Sequence, residues 1–295
     1  MHLKALRSMG VKINDAQRGF IYAEADRLKG CEIHLDYPSV GATENVMMAG
    51  VAAEGETIIR NAAREPEIAD LQKYLNGIGA NVQGAGSSVI RINGTNKAFC
   101  EIDHTVIPDR IVTGTYMVAA GITGGDILLE NVVPEHIIPI IYNMKECGCK
   151  IITKENTLRI IGPARPRSID IVRTLPHPGY PTDMQAQLVA MLSVARGTSI
   201  VVETVFENRY KHVEELLRMG ANIKLEGRLA VIKGVKKLVG ASVSAKDLRG
   251  GAALVLAGLV ADGQTVVNDI KHIDRGYEKL EEKLSQVGAM IVRGD

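Results

Sequence analysis

Internal repetition constrains this chain more than any other feature. Helical patterns that end in a glycine and lead into a short extended segment recur with a period of about 70 residues. Each closing glycine is predicted to be a left-handed C-cap, and the charged residues predict one solvated face. These outer-helix patterns are found at residues 3–10, 68–79, 137–148, 213–220 and 277–288.

A second set of helical patterns, rich in alanine and glycine, alternates with the first. Its members are apolar nearly all round, which predicts buried helices. Each also ends in a glycine, and a β-branched strand follows at residues 57–59, 127–129, 200–202 and 265–267. Alternating segments at 89–92, 158–161 and 230–232 predict further strands. The sequence therefore predicts an α/β fold built from repeated βαβαββ units.

The chain is long enough for about two domains, since it has 295 residues of which 46% are hydrophobic. The phase of the repeats places the boundary before Pro108, giving domains at 1–107 and 108–295. The chain opens directly on an outer helix, with no strand before it. We therefore expect one unit of the first domain to be missing.

Composition excludes several classes of function. A net charge of +1 with interspersed signs provides no broad field for nucleic acid or a membrane surface. The longest apolar run, 252–261, is about half of what a bilayer span needs, and no signal-peptide pattern is present, so we expect a cytoplasmic protein. Phosphate-loop, dinucleotide and zinc-hydrolase motifs are absent, so ATP-binding loops, Rossmann cofactors and zinc hydrolysis are unsupported. The spacing of the four cysteines matches neither zinc-ligand pairs nor the disulfide pattern of a secreted protein; they are Cys31, Cys100, Cys147 and Cys149.

Four helix starts occupy equivalent positions in the repeats. Free N–H groups at such starts attract anions, so together they suggest a phosphate-rich ligand. For Ser39 and Gly41 the alternative is a plain N-cap followed by a tolerant first turn. The four starts lie at 37–43, 108–110, 181–183 and 246–250.

Asp183 follows a proline-rich loop and allows two interpretations. Its carboxylate could simply cap the helix that begins there, or it could face a cleft and take a proton from a substrate hydroxyl. Three arginines also sit at comparable repeat positions: Arg209, Arg249 and Arg275. Taken singly, they suggest ion pairs with Glu207, Asp247 and Asp274; taken together, they suggest an acidic small molecule.

Six longer motifs occur in order along the chain. They are Ser39-Val-Gly-Ala-Thr43, Asn61-Ala-Ala-Arg-Glu-Pro-Glu-Ile68, Pro108-Asp-Arg-Ile, Pro181-Thr-Asp-Met-Gln-Ala-Gln187, Glu203-Thr-Val-Phe-Glu-Asn-Arg209 and His272-Ile-Asp-Arg-Gly-Tyr-Glu278. Together these motifs closely resemble the family of UDP-N-acetylglucosamine 1-carboxyvinyltransferase, and the resemblance spans the whole length.

This resemblance implies an inside-out α/β barrel fold of two domains, with the active site between them. The family moves the enolpyruvyl group of phosphoenolpyruvate to the 3-hydroxyl of the sugar in peptidoglycan synthesis. The reaction passes through a tetrahedral intermediate that eliminates phosphate, and it needs no metal or cofactor. The expected partners are these two small molecules, in the cytoplasm of a bacterium.

The resemblance also implies roles for individual residues. Asp183 corresponds to the proposed base for the sugar hydroxyl, and Val205 to a sugar contact. Arg209, Arg249 and Arg275 correspond to arginines around phosphoenolpyruvate and the closing domain interface. The nucleotide-sugar diphosphate segment corresponds to Tyr37, Pro38, Ser39 and Val40, although a lysine commonly stands where this chain has Tyr37. Weaker candidates are Asp247 for proton transfer, Gly41, and His2 from the uracil-binding segment.

The chain departs from the family in one large respect. Roughly the first third of the family sequence has no counterpart, including the arginine loop with the reactive cysteine, and none of the four cysteines inherits that role. We therefore expect negligible turnover and self-association through exposed repeat edges. A synthase acting on shikimate phosphate is the alternative within the fold, and the motifs around Asp183 and His272 argue against it. A non-catalytic remnant that binds UDP-sugar or a protein is the alternative from another class.

Overall fold

Two four-stranded sheets with the same strand order dominate the computed structural model, which describes residues 1–17, 19–96 and 99–294. The chain divides into two units. The first comprises Met1–Ile107 with Pro176–Pro178, and the second comprises Pro108–Leu175 with Gly179–Asp295.

The first unit contains one complete repeat and a preceding helix and hairpin. Its elements are α1 (His2–Ser8), β1 (Lys12–Gln17), β2 (Phe20–Glu24), β3 (Glu32–His34), α2 (Val40–Val51), β4 (Glu56–Arg60), α3 (Pro66–Gly77), β5 (Asn81–Gln83) and β6 (Val89–Asn93). The sheet order is β3-β4-β6-β5, with β3 parallel to β4 and the other pairs antiparallel. Strands β1 and β2 form a separate antiparallel hairpin.

The second unit begins with helix α4 and a three-stranded sheet. Its first elements are α4 (Arg110–Thr123), β7 (Asp126–Glu130), a 3-10 turn (Pro134–Ile137), α5 (Ile138–Glu146), β8 (Lys150–Lys154) and β9 (Thr157–Ile161). These strands pair in the order β7-β9-β8, and every pair is antiparallel.

A second complete repeat follows. Its elements are β10 (Ile171–Arg173), a 3-10 turn (Thr182–Met184), α6 (Gln185–Leu192), β11 (Thr198–Val202), α7 (Val213–Arg218), β12 (Asn222–Glu226) and β13 (Leu229–Lys233). The order β10-β11-β13-β12, with β10 parallel to β11, matches the sheet of the first unit. The predicted βαβαββ unit is therefore confirmed in both units of the chain.

The last repeat is formed from shorter pieces. These are β14 (Leu238–Val239), β15 (Ser242–Ser244), α8 (Leu248–Gly258), β16 (Ala261–Asp262), β17 (Val266–Asn268), α9 (Lys271–Asp274) and α10 (Leu280–Gln286). Strand β14 pairs in parallel with β16, and β15 with β17.

The predicted burial of the apolar helices holds in the second unit and fails for α2. Every residue of α6 is buried, and α4, α6 and α8 pack against one another. Helix α2 packs against α1 and α3, but its Asn45 and Met48 are exposed. These residues are three positions apart and so share a face of the helix. Helix α2 begins before the apolar run that starts at Val46 and includes the polar Glu44 and Asn45, so its surface is less uniformly apolar than the pattern predicted.

The predicted glycine caps are confirmed for the outer helices and not for all of the buried ones. Gly148 and Gly220, for example, directly follow the C-caps of α5 and α7, with φ angles of 98° and 83°. Gly55 also has a positive φ, of 87°, but α2 ends at Val51, so this glycine belongs to the turn before β4 and does not cap the helix. The sequence pattern of α4 runs from Val112 to Gly125, but the helix ends one residue before that glycine: Gly124 adopts the left-handed conformation, with φ 73°, and Gly125 does not. Gly125 instead donates its N–H to the carbonyl of Ala120, which closes the helix end.

Candidate functional site

The proline-rich loop before α6 is fixed by buried aromatic and sulfur-containing side chains. Leu175 donates its N–H to the carbonyl of Tyr180, and the Tyr180 hydroxyl donates to the carbonyl of Met184. Met184 is fully buried against α4, where a Cβ on Gly114 would lie 2.8 Å from its sulfur. The short 3-10 turn that carries Asp183 is therefore held tightly on the helical core.

Asp183 does not cap the helix that follows it. The α-helix begins only at Gln185, and neither the 3-10 turn nor α6 has a side-chain capping bond. Of the two interpretations that the sequence allowed for Asp183, capping of the helix that follows it is therefore wrong, and Thr182, which also stands at this helix start, does not cap it either. The physical reason is that both side chains bond elsewhere: the Thr182 hydroxyl donates to Glu203, and the Asp183 carboxylate accepts from two arginines.

The carboxylate of Asp183 lies between two guanidinium groups from distant parts of the chain. Arg209 donates to Oδ1, and Arg249 donates from Nη2 to Oδ2 over 3.0 Å. The side chains of Asp183, Arg209 and Arg249 are 38%, 20% and 13% exposed. This arrangement is a partly buried charge cluster of one carboxylate and two guanidinium groups.

The electrostatics of the cluster keep all its charges in place. Burial alone raises the pKa of Asp183, but the guanidinium groups of Arg249 and Arg209 outweigh burial and hold this pKa below the ordinary aspartate value. Burial lowers the pKa of Arg249, whereas Tyr277 and Asp183 raise it, and the net direction is upward. Asp183 is thus ionised at neutral pH and is a weak base while both arginines contact it.

Tyr277 connects Arg249 to the helical core. Its buried hydroxyl accepts from Nη1 of Arg249 at 3.2 Å and from Nε2 of Gln187 at 3.3 Å, and it shares a 2.9 Å hydrogen bond with the Thr115 hydroxyl. Sequence reasoning assigned no role to Tyr277, Gln187 or Thr115. The available signal was the presence of polar residues inside the otherwise apolar helices α4 and α6.

The ion pairs suggested for single arginines do not form. Asp247 is the N-cap of α8 and accepts the N–H of Gly250 at 2.8 Å. Glu207 pairs with Arg228 at 3.2 Å, and Asp274 pairs with Arg293 at 2.6 Å. Arg209 and Arg249 are thereby left for Asp183.

Arg275 does not join the cluster around Asp183. It is exposed, and it has no ion pair or hydrogen bond among the described residues. It lies two positions before Tyr277 and one residue after α9. The structure therefore brings two of the three predicted arginines to Asp183.

Val205 lies at the edge of a surface pocket beside this cluster. The pocket has a volume of about 490 Å³ and is also lined by Phe206, Arg209 and Arg228. The Arg209 guanidinium lies 5.0 Å from the centre of the Phe206 ring, which restricts its orientation.

In the first unit, the helix start at residues 37–43 is an ordinary capped terminus. Ser39 is the N-cap of α2, and its hydroxyl oxygen accepts the N–H of Ala42 at 3.3 Å. The ring of His2 lies against the first turn, where a Cβ on Gly41 would be 3.4 Å away, and its Nδ1 is 2.5 Å from Nδ2 of Asn45. Tyr37, Pro38 and Val40, which complete the segment, are half-buried.

Two other features limit the chemistry of the described residues. No three or more His, Cys, Asp or Glu side chains are grouped there so as to hold a metal ion. Cys147 and Cys149 are buried, and burial raises the pKa of both thiols, that of Cys149 to about 11, so they are protonated at neutral pH.

Among the residues that the structure describes, every helix is too short or too polar to cross a bilayer.

Comparison of the sequence with known proteins identifies a family and several relatives. Residues 1–284 match the EPSP synthase (3-phosphoshikimate 1-carboxyvinyltransferase) family. The chain is 57% identical over 293 residues to UDP-N-acetylglucosamine 1-carboxyvinyltransferase 1 of Caldanaerobacter subterraneus subsp. tengcongensis, covering 99% of this chain and 70% of that relative. The chain belongs to this carboxyvinyltransferase family. The carboxyvinyltransferase 1 of Carboxydothermus hydrogenoformans is 55% identical, again over 99% of this chain and 69% of its own length.

Solved carboxyvinyltransferase structures have the same fold. The enolpyruvyl transferase NikO from Streptomyces tendae superimposes with a TM-score of 0.88 at 24% identity, covering 97% of this chain and 70% of NikO. EPSP synthase from Acinetobacter baumannii gives 0.76 at 20% identity, with 99% and 71% covered. The predicted inside-out α/β barrel architecture is confirmed.

Proposed function

We propose that this chain carries the site that transfers enolpyruvyl from phosphoenolpyruvate to the 3-hydroxyl of UDP-N-acetylglucosamine, with release of phosphate. The names of relatives above 50% identity support this reaction. The structural observation that carries the proposal is the Asp183 carboxylate between the guanidinium groups of Arg209 and Arg249.

The two arginines suit phosphoenolpyruvate because that substrate carries a phosphate and a carboxylate. Guanidinium groups bind both anions through paired N–H donors, and partial burial strengthens the interaction. In the free protein Asp183 occupies these donors. We propose that phosphoenolpyruvate takes over at least part of the hydrogen bonding of Arg209 and Arg249.

This exchange would also activate the acid. When the guanidinium groups turn to the substrate, burial of Asp183 is no longer outweighed and its pKa rises, so the carboxylate becomes a better base. It then accepts the proton of the sugar 3-hydroxyl as that oxygen bonds to C2 of phosphoenolpyruvate, while the electrons of the C2=C3 double bond take a proton that solvent supplies to C3. Loss of phosphate from C2 and of one proton from C3 restores the double bond and forms the enol ether product. Asp247 is the weaker candidate for proton transfer, because its carboxylate already caps α8.

The remaining assignments concern the sugar nucleotide. We assign Val205, at the edge of the pocket, to the sugar, and the segment of Tyr37, Pro38, Ser39 and Val40 to the diphosphate. The start of α2 supports the second assignment, since backbone N–H groups at a helix N-terminus favour phosphate. Gly41 and His2, which lie together on the first turn, are weaker candidates. We assign Arg275, which is exposed, to contact with phosphoenolpyruvate or to the closing domain interface.

Calorimetric titration with phosphoenolpyruvate tests the proposal. Replacing Arg249→Gln removes a cation and two donors, so we expect affinity to fall at least tenfold, about 1.4 kcal/mol. Arg159→Gln is the matched control: this arginine of the same unit makes a bidentate ion pair with Asp126 on the exposed face of β9, and its loss should leave affinity unchanged. Equal affinity of the wild type and Arg249→Gln would contradict the proposal.

Turnover separates the enzyme from a ligand-binding remnant. Release of inorganic phosphate that requires both substrates and disappears in Asp183→Asn supports transfer. Micromolar binding of UDP-N-acetylglucosamine without such release supports the remnant. The low turnover predicted from the sequence is tested by running a full-length relative beside this chain, and sedimentation velocity tests the predicted self-association. A role in peptidoglycan precursor synthesis, in the bacterial cytoplasm, completes the proposal.

A further inference from the structure

A buried acid lies directly behind the Asp183–Arg209 ion pair. Glu203 is 1% exposed, and within the described residues its carboxyl group meets no cation. By contrast, Glu215, another acid of the same unit with 2% side-chain exposure, has the Lys246 ammonium group 3.3 Å away. A buried acid without a counter-ion is costly unless hydrogen bonds replace its water.

Four neutral donors satisfy the carboxyl group of Glu203. Oε1 accepts from the Thr174 hydroxyl at 3.0 Å, from the Val205 N–H at 2.8 Å and from the Phe206 N–H at 3.0 Å. Oε2 accepts from the Thr182 hydroxyl at 2.9 Å. One side chain thus ties together three segments: the end of β10, the turn before α6, and the loop after β11.

Two of these segments carry the two members of the ion pair. Thr182 immediately precedes Asp183, and Val205 and Phe206 lead into Arg209, whose guanidinium contacts Asp183. The separation between the acid and this arginine therefore depends on two segments that both bond to Glu203.

The other repeats show that the fold itself does not demand a glutamate at this position. The residue directly after the equivalent strand is Asn61 after β4, Asn131 after β7 and Asp269 after β17, with φ angles of 55°, 52° and 57°. Asn61 uses its amide for one bond, to the carbonyl of Leu35. Glu203 takes this place after β11 without the left-handed backbone.

We propose that Glu203 is a positioning residue that sets the geometry of Asp183 against Arg209, through Thr182 on one side and the N–H groups of Val205 and Phe206 on the other. This proposal depends on the proposed function in one respect, namely that phosphoenolpyruvate is the ligand of Arg209. It predicts that cutting one of these links loosens the ion pair while the fold persists.

The sharpest test cuts the link at Thr182. Thr182→Val keeps the shape and removes the donor, whereas Thr182→Ser keeps the hydroxyl and should behave as the wild type. Glu203→Gln presents an amide N–H₂ in place of one acceptor oxygen. Ser193→Ala is the control for loss of a buried hydrogen bond elsewhere, because the Ser193 hydroxyl donates only to the carbonyl of Val189 in α6.

Two readouts separate positioning from general destabilisation. The pKa of Asp183, followed by carbon-13 NMR of its carboxyl group, should rise in Thr182→Val and Glu203→Gln and stay unchanged in Thr182→Ser and Ser193→Ala. Affinity for phosphoenolpyruvate should fall about fivefold in the first two variants, the equivalent of one hydrogen bond. An unchanged Asp183 pKa in a folded Thr182→Val variant would overturn the proposal. If the wild type does not bind phosphoenolpyruvate, the proposed function fails, while the pKa comparison still decides the role of Glu203.

Discussion

The two complete repeats, residues 32–93 and 171–233, have the same strands in the same order and put their helix starts to different uses. In the first repeat, Ser39 caps α2 and Asn61 bonds to one carbonyl. In the second, a 3-10 turn delays the start of α6, which leaves Asp183 for two arginines, and Glu203 accepts four hydrogen bonds. The comparison teaches that the repeated scaffold supplies positions, and that a few polar residues decide whether the acceptor at a helix start caps its own helix or pairs with arginines from elsewhere in the chain.

The largest expected effect concerns the residue after the second strand of each repeat. Glu203→Ala leaves four donors around a buried cavity, and we expect a loss of about 3 kcal/mol in the free energy of unfolding. Asn61→Ala, the matched change in the first repeat, should cost about 1 kcal/mol. Denaturant unfolding of both variants measures the difference, and equal losses would remove the contrast between the repeats.

The next effect concerns the network that holds Arg249. Tyr277→Phe removes a buried hydroxyl that contacts Thr115, Gln187 and Arg249, so we expect a loss of about 2 kcal/mol in unfolding free energy. Affinity for phosphoenolpyruvate should fall as well, since Arg249 loses an orienting partner. Tyr142→Phe on the exposed side of α5 is the control and should change neither quantity.

A smaller effect depends on pH. Because the folded pKa of Asp183 is depressed, its ion pairs stabilise the fold above the unfolded aspartate pKa of about 3.9, and this stability is lost as the pH falls through the lower folded pKa. We expect the wild type to exceed Asp183→Asn by about 1 kcal/mol at pH 7, since the pair is partly exposed. Thermal unfolding from pH 7 to pH 2 should show the two proteins converging at the acid end. A constant difference would show that ionisation of Asp183 does not matter.

The smallest effect concerns a cap. The Ser39 bond to Ala42 is long, at 3.3 Å, so Ser39→Ala should cost about 0.5 kcal/mol, at the low end for such caps. Asp109→Ala should cost about 1 kcal/mol, because Asp109 accepts two N–H groups at the start of α4. Denaturant unfolding of the two variants ranks the caps, and a larger loss for Ser39→Ala would contradict this reading of the first repeat.

The sequence predicted the repeats and the glycine caps of the outer helices well because both are local. Apolar periodicity and closing glycines locate the helices and strands, and Asp109 and Asp247 cap the helices they precede. The pairing of Asp183 with Arg209 and Arg249 bridges 26 and 66 residues, so it depends on how repeats pack and not on local pattern. The exposed position of Arg275 could not be foreseen for the same reason.

The most direct measurement of the central claim is a crystal structure of this chain with phosphoenolpyruvate. We predict that the phosphate or carboxylate of the substrate accepts hydrogen bonds from the guanidinium groups of Arg209 and Arg249, and that the Asp183 carboxylate is released from at least one of them. Substrate bound elsewhere, with both ion pairs of Asp183 intact, would contradict the claim that Arg209 and Arg249 bind phosphoenolpyruvate beside Asp183.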